Sequence, residues 1–254
     1  MFGYIMAEWK KTRKFQFFLI GLLFLSLTSF IGLFTYYYYH NSLVEGTLTR
    51  VLWGQLTFYY SSLLYPPLLA ILVGMIWVPE FENKSLEMLK ANHISLGKLL
   101  LGKIVSLLVI LFPVQLILIL VYIVGAYLDG ILIWGDVLMR LKWVILSILG
   151  SLPLIAIQTY LTVKSHSFSK AIGLATIGGI ATFAFIFLDS SLNQFYPYAQ
   201  PMLALRSREM SDLSVLDFSS LELLVFLLVN VLFTILFIFL SHRTLRREVK
   251  KGRI

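Results

Sequence analysis

The chain has 254 residues, of which 59% are hydrophobic and 13% charged, and its formal net charge is +8. A soluble globular domain is about 45–50% apolar and about 25% charged, so the composition excludes that class and also excludes intrinsic disorder. The sequence contains no cysteine, which excludes disulfide bridges, a thiolate nucleophile and a cysteine-ligated metal.

Six apolar segments are long enough to cross a bilayer, because a spanning helix needs about 20 mostly apolar residues. We predict an all-α integral membrane protein whose membrane helices are 15–38, 56–78, 104–127, 143–163, 171–188 and 221–240. The strands of a membrane barrel would instead alternate over about 10 residues. The first segment is too long for the core of a signal peptide, so we expect it to be retained.

An amphipathic helix is predicted at 1–14, ahead of the first span. Phe2, Ile5, Met6 and Trp9 recur at helical spacing, and the lysines take other faces. A helix of this kind suits the membrane–water interface. The alternative is a basic stretch that only orients the first span.

The basic residues predict the orientation of the chain. With the N-terminus in the cytoplasm, 16 of the 21 Lys and Arg residues fall on the inner side, as the positive-inside rule requires. We therefore expect both termini in the cytoplasm, 79–103 as a cytoplasmic segment and 189–220 as an extracellular one. The basic excess indicates contact with an anionic membrane surface and does not indicate nucleic acid.

Tyr65, Pro66 and Pro67 interrupt the second predicted span. Two prolines remove two backbone donors and clash with the preceding turn, so the helix must kink or open there. Either a static kink or a moving hinge satisfies this pattern.

The cytoplasmic segment 79–103 is the predicted contact with a soluble partner, and a solvated loop is the alternative. Its candidate contact residues are Glu80, Phe81, Glu82, Lys84, Leu86, Glu87, Leu89 and Lys90. Further along, the run 97–104 resembles a phosphate-binding loop, but Ile104 stands where a serine or threonine would bind Mg²⁺. We predict no nucleotide site in this chain, and expect Lys98 and Lys103 at the lipid headgroups.

The middle of each predicted span lacks Asp, Glu, Lys, Arg and His, which ion-coupled transporters and intramembrane hydrolases need. Gln115, Gln158 and Asn230 are the strongly polar residues at mid-helix positions. They could line a substrate path or form hydrogen bonds between helices. We predict no catalytic, cofactor-binding or metal-binding residue.

Two later features concern packing. Ala171, Ala175 and Gly179 recur every four residues in the fifth span, which favours close helix contact within the chain or with another subunit. In the predicted extracellular segment, residues 196–201 form a stiff, aromatic stretch expected near the outer interface.

Together these features resemble the permease subunits of the ABC-2 class of ATP-driven exporters. The motif-like part is Glu80 to Leu86, followed by Leu96-Gly97-Lys98 and Gly102-Lys103. The resemblance implies a cytoplasmic ABC ATPase dimer that docks on 80–93 and carries ATP and Mg²⁺. It also implies a second six-helix permease, with a homodimer and a heterodimer both open.

Within this class, Leu64-Tyr65-Pro66 and Tyr196-Pro197-Tyr198 resemble permeases of lantibiotic self-immunity transporters. That resemblance implies a bacterial plasma membrane protein that expels cationic antimicrobial peptides. The alternatives are an ABC-2 exporter of a lipid, a glycolipid or a drug, and a non-transporting membrane sensor or scaffold.

Overall fold

The computed structural model describes residues 6, 9–10, 12–82, 95–188, 193–206 and 217–250. All the regular secondary structure in these ranges is helical.

The first span is Lys14–Tyr39, followed by a 3₁₀ turn at His40–Ser42. The second span consists of Leu48–Tyr59, a π-turn at Tyr60–Leu64, and Tyr65–Glu82. The remaining spans are Leu96–Leu128, Trp134–Ser165, Phe168–Leu188 and Ser220–Lys250, and between the last two lie a 3₁₀ turn at Pro197–Ala199 and a short helix at Gln200–Ala204.

Six of these helical stretches have the length and composition to cross a membrane, which confirms the predicted fold class. The helices are longer than their apolar cores: the second begins at Leu48 instead of 56, the third at Leu96 instead of 104, and the sixth reaches Lys250. The apolar run marks only the part that lies in hydrocarbon, and backbone hydrogen bonding continues the helix beyond it. Both edges of the predicted cytoplasmic segment 79–103 are therefore helical, and 83–94 lies outside the described residues. Most of the predicted interfacial helix at 1–14 also lies outside them.

Consecutive spans run antiparallel, and this defines two ends of the bundle. We call the end that holds Lys14, Glu82, Leu96, Ser165 and Lys250 the basic end. The other end, which we call the opposite end, holds Tyr39, Leu48, Leu128, Trp134 and Ser220. Contacts across the bundle support this division, since His166 meets Glu248 at the basic end and Arg140 meets Thr49 at the opposite end.

The second and fourth spans form the centre of the molecule. In the most apolar stretch of each span, 67% of the second and 61% of the fourth are buried, but only 17% of the sixth. The first, fifth and sixth spans therefore present most of their apolar side chains outward, as helices bordering lipid do. The predicted row of small residues in the fifth span lies inward, because Ala171 and Ala175 are fully buried and Gly179 packs on the second span.

The stretch 193–206, which belongs to the predicted extracellular segment 189–220, packs inside the bundle. Met202, Ala204 and Leu205 have no exposed surface, and the short helix packs against the fourth span. We call residues 193–206 the inserted segment. Protein surrounds this irregular backbone, a setting in which non-helical backbone is tolerated even at membrane depth.

Candidate functional site: a buried ion pair and a broken helix

A buried ion pair joins the second and third spans at the basic end. The Lys103 Nζ atom lies 2.8 Å from Glu80 Oε1 and donates to the carbonyl oxygen of Ile76 at 3.2 Å. Lys103 is 2% exposed and Glu80 is 4% exposed. The ammonium also lies 5.1 Å from the centre of the Trp77 ring, a cation–π contact.

The expected position of Lys103 at the lipid headgroups was wrong. Because the third helix begins at Leu96, two turns of helix bring Lys103 into the bundle, on the same face as Leu99, Leu100 and Leu107. That spacing of three and four residues was visible in the sequence and could have placed Lys103 on the buried face.

Aromatic contacts extend from this pair to the other spans. Trp77 stacks on Phe81 with ring centres 6.2 Å apart, and Phe81 meets the His166 ring edge-on at 4.9 Å. His166 ends the fourth span in a left-handed conformation, and its Nε2 atom lies 3.7 Å from a carboxylate oxygen of Glu248 in the sixth span. Phe81 therefore contacts the fourth–fifth junction at His166, and His166 in turn contacts the sixth span.

The predicted coupling residues are only partly described. Glu80 and Phe81 take part in the contacts above, and Glu82 ends the second helix. The remaining members of the set, Lys84, Leu86, Glu87, Leu89 and Lys90, lie outside the described residues. The two described side chains thus stand at the point where 83–94 leaves the bundle.

The proline pair lies beside a π-turn in the middle of the second span. The Tyr65 amide donates to the carbonyl of Tyr60, a bond across five residues in place of four. Pro66 and Pro67 have no N–H, so the carbonyl of Ser62 has no helical donor at either the fourth or the fifth following residue. The sequence predicted a break here, and the structure gives it the form of a wide turn.

Gly179 of the fifth span covers this break. A Cβ atom added at Gly179 would lie 3.0 Å from the carbonyl oxygen of Leu63 and 3.2 Å from that of Ser62. Only a glycine allows the fifth span to approach the opened turn so closely, which is how a neighbouring helix can shield freed carbonyls in a membrane.

Two of the three polar residues proposed for a substrate path hold the inserted segment. Gln158 Nε2 donates to the Tyr198 hydroxyl at 2.9 Å, and Asn230 Nδ2 donates to Gln200 Oε1 at 2.9 Å. Gln115, the third, is fully buried, and its amide faces the Tyr65 hydroxyl of the second span.

A basic side chain that the sequence did not single out is buried at the opposite end. Arg140 is 1% exposed, donates to the carbonyl of Thr49 at 2.8 Å, pairs with Asp136 at 3.0 Å and lies 4.4 Å from the Tyr122 ring. Trp53 in the same region donates to the Leu205 carbonyl at 2.8 Å. These contacts fix the first turns of the second span to the fourth span and to the inserted segment.

Asp217 ties the start of the sixth span to the fourth. Its carboxylate accepts hydrogen bonds from Lys142 at 2.5 Å and from the Trp143 indole at 3.0 Å. Partial burial alone would raise the pKa of Asp217, but these two bonds and a third from the Phe218 amide outweigh it, and the pKa is lowered. Within the described residues no group of three or more His, Asp or Glu could hold a metal ion.

The model of the family described as "ABC-2 family transporter protein" matches residues 4–182, which is most of the chain. The chain belongs to this family. The match includes Glu80, Lys103 and the broken second helix, and it ends before the inserted segment and the sixth span. No curated protein matches the chain. As an ABC-2 permease, the protein is the membrane component of a transporter, and its family implies a separate ABC ATPase as partner.

Proposed function

We propose that this ABC-2 permease exports an amphipathic substrate, and that the substrate is a cationic lantibiotic expelled from the membrane for self-immunity. The observation that supports ATP-driven export is the buried pair of Glu80 and Lys103 at the base of the segment 83–94. The observation that supports the peptide is the resemblance of Leu64-Tyr65-Pro66 and Tyr196-Pro197-Tyr198 to immunity permeases.

A substrate that arrives through the lipid would meet the exposed face of the first span. An open, shallow hollow there is lined by Phe30, Leu33, Phe34, Tyr37 and Tyr38. Its lining is aromatic and aliphatic, which suits the apolar part of an amphipathic molecule. A lipid, a glycolipid or a drug has such a part too, so these remain the second candidate substrates.

The proposed mechanism starts at an ATPase dimer docked on 80–93, which binds ATP and Mg²⁺. Closure of that dimer would push on Glu80 and Phe81. Because Glu80 is bonded to Lys103, the second and third spans would tilt together, and the π-turn at Tyr60–Leu64 would absorb the bend. A second six-helix permease would complete the path. The tilt would then shift the transporter's affinity for its substrate from one leaflet to the other.

This proposal places the protein in a bacterial plasma membrane with the basic end in the cytoplasm. The charge asymmetry of the sequence supports that orientation, because the described basic residues Lys14, Lys98, Lys164, Lys170 and Arg243 all lie towards that end.

The substrate is tested by deleting the gene in its native strain and measuring the growth-inhibiting concentration of the strain's own lantibiotic and of unrelated membrane-active compounds. We expect the deletion to sensitise the cells to the lantibiotic alone, and the wild-type gene to restore resistance. Equal sensitivity to the lantibiotic before and after deletion, with altered sensitivity to a lipid-like drug, would select the second candidate.

The coupling step is tested by Lys103→Gln, with Lys98→Gln as the matched control on the same helix. Removing one partner of a buried ion pair leaves an unpaired buried charge, whereas Lys98 is exposed. In the complex purified with its ATPase, we expect Lys103→Gln to abolish stimulation of ATP hydrolysis by substrate and Lys98→Gln to retain it. Full stimulation in Lys103→Gln would disprove the role given to the pair.

A further inference from the structure

Four uncharged polar side chains meet in the centre of the bundle. They are Tyr60 in the π-turn, Tyr65 one turn later, Gln115 in the third span and Ser151 in the fourth, and none has any exposed surface. The Tyr60 and Tyr65 ring centres are 5.1 Å apart, and the Gln115 amide faces the Tyr65 hydroxyl. We call these four residues the tyrosine–glutamine cluster.

The direction of one hydrogen bond in the cluster can be assigned. Ser151 donates its hydroxyl hydrogen to the carbonyl of Ser147 at 2.7 Å. Since a serine hydroxyl has one hydrogen, the 2.8 Å contact between Tyr65 and Ser151 must use the Tyr65 hydrogen. The Tyr65 oxygen therefore keeps its capacity to accept a hydrogen bond on the side that faces Gln115.

Two other polar atoms in the cluster have hydrogen-bonding capacity that no neighbour uses. In the described part of the chain, neither the Tyr60 hydroxyl nor Gln115 Oε1 has a partner at hydrogen-bond distance and angle. A polar atom buried in this way is strongly destabilising, and in a bilayer no bulk water is within reach. Buried polar atoms of this kind are the ones that ordered water satisfies in proteins.

The cluster also lies where the helix is wound most loosely. Tyr60 and Tyr65 are the two ends of the five-residue hydrogen bond of the π-turn, and Pro66 and Pro67 follow directly. Turns of this kind occur frequently at functional sites.

We propose that the tyrosine–glutamine cluster is an internal water-binding site that supports the π-turn of the second span. The ligand must donate to Gln115 Oε1 and accept from the Tyr60 hydroxyl, and water does both. Charged ligands do not fit, since every member of the cluster is uncharged. A substrate does not fit either, because all four side chains are enclosed within one chain. Such a water site would be present whatever substrate the protein exports.

The direct test is radiolytic hydroxyl-radical labelling of the full chain, purified with the proteins that it assembles with. X-rays generate radicals from bound water, so side chains next to an internal water are oxidised even when they have no exposed surface. We expect Tyr60 and Tyr65 to be labelled and Tyr36, which is 1% exposed and bonded to Asp129, to stay unlabelled. Labelling of Tyr60 and Tyr65 that does not exceed that of Tyr36 would overturn the proposal.

A stability measurement tests the same proposal from the other direction. Tyr60→Phe removes only the hydroxyl, and Tyr59→Phe is the matched control at the adjacent position, which is partly exposed. If water bonds to the Tyr60 hydroxyl, its removal lowers the melting temperature by roughly 2–4 °C, the shift for one lost hydrogen bond in a chain of this size. If the hydroxyl has no partner, its removal leaves the melting temperature unchanged or raises it, and the proposal fails.

Discussion

Replacing Gly179 by alanine is the sharpest test of how the broken helix is held. The added Cβ would meet the carbonyl oxygen of Leu63 at 3.0 Å, that of Ser62 at 3.2 Å and the Pro66 ring at 3.5 Å. The two oxygens belong to backbone, so they cannot rotate away as a flexible side chain would. The fifth span or the π-turn must therefore move by a few tenths of an ångström.

Two effects of opposite sign determine how much Gly179→Ala changes the free energy of unfolding. Overpacking a tight contact costs about 1–3 kcal/mol, whereas Gly→Ala within a helix stabilises it by about 1 kcal/mol. The net change for Gly179→Ala is then a loss of roughly 0–2 kcal/mol. Gly173→Ala isolates the second effect, because it lies on the same helix and a Cβ there would meet no atom within 4 Å.

The measurement is thermal unfolding of both variants in one detergent, followed by tryptophan fluorescence. We expect Gly173→Ala to melt above the wild type and Gly179→Ala to melt at or below it. The difference between the variants equals the strain alone, about 1–3 kcal/mol, and each kcal/mol corresponds to about 2–4 °C in a chain of this size. Equal shifts in the two variants would refute the close approach of the fifth span to the π-turn.

Three further predictions concern other contacts. Gly32→Ala should destabilise the chain more than Gly179→Ala, because its Cβ would lie only 2.6 Å from the carbonyl oxygen of Gln55; the same melting experiment measures it. Asn230→Leu should lower the free energy of unfolding by about 1–3 kcal/mol, because it leaves Gln200 Oε1 without its donor. Since Asn230 anchors the inserted segment, the same variant should also raise the rate of proteolysis within 193–206. The pKa of Asp217 is lowered in the fold, so its stabilisation is present above the pKa of an unfolded aspartate and is lost as the pH falls through the lowered value. Asp217→Asn should therefore lower the melting temperature at pH 7 and have less effect near pH 3.

The sequence predicted the break in the second span but not its geometry. Pro66 and Pro67 have no backbone N–H, so two hydrogen bonds of a regular helix cannot form in any conformation of the second span. A kink and a π-turn both satisfy that requirement. The choice between them depends on the Tyr65–Ser151 contact and on the close approach of Gly179, which join residues far apart in the chain.

The buried charges were missed for a different reason. A hydropathy pattern treats a charged residue as the end of a span, so Lys103 and Arg140 were placed outside the hydrocarbon. Burial of each cation is possible because a partner offsets its desolvation. Lys103 is paired with Glu80, and Arg140 is paired with Asp136 and contacts the Tyr122 ring. Asp136 lies on the same helix four residues earlier, so this pair was visible in the sequence; the Tyr122 contact was not.

The burial of the inserted segment could not be predicted, because its sequence carries no local pattern that distinguishes a buried turn from a surface one. Residues 196–201 carry prolines and tyrosines, which are as common at a membrane surface as in a buried turn. Their partners Gln158 and Asn230 stood out in the sequence as polar residues at depth. Nothing in the pattern linked those amides to Tyr198 and Gln200, because the pairing is set by tertiary contacts of the fourth and sixth spans.

The second span is held differently on the two sides of its π-turn, and this difference decides where it can bend. On the opposite-end side, the Thr49 carbonyl binds Arg140 and Trp53 binds the Leu205 carbonyl, so that half is fixed to the fourth span and the inserted segment. On the basic-end side, Glu80 binds Lys103 of the third span, and Tyr65–Glu82 also packs along the fourth and fifth spans. In the proposed mechanism, a push at the basic end would therefore displace these spans together with this half of the second span. The bend would fall at the π-turn Tyr60–Leu64, and the contacts that hold the inserted segment would stay in place.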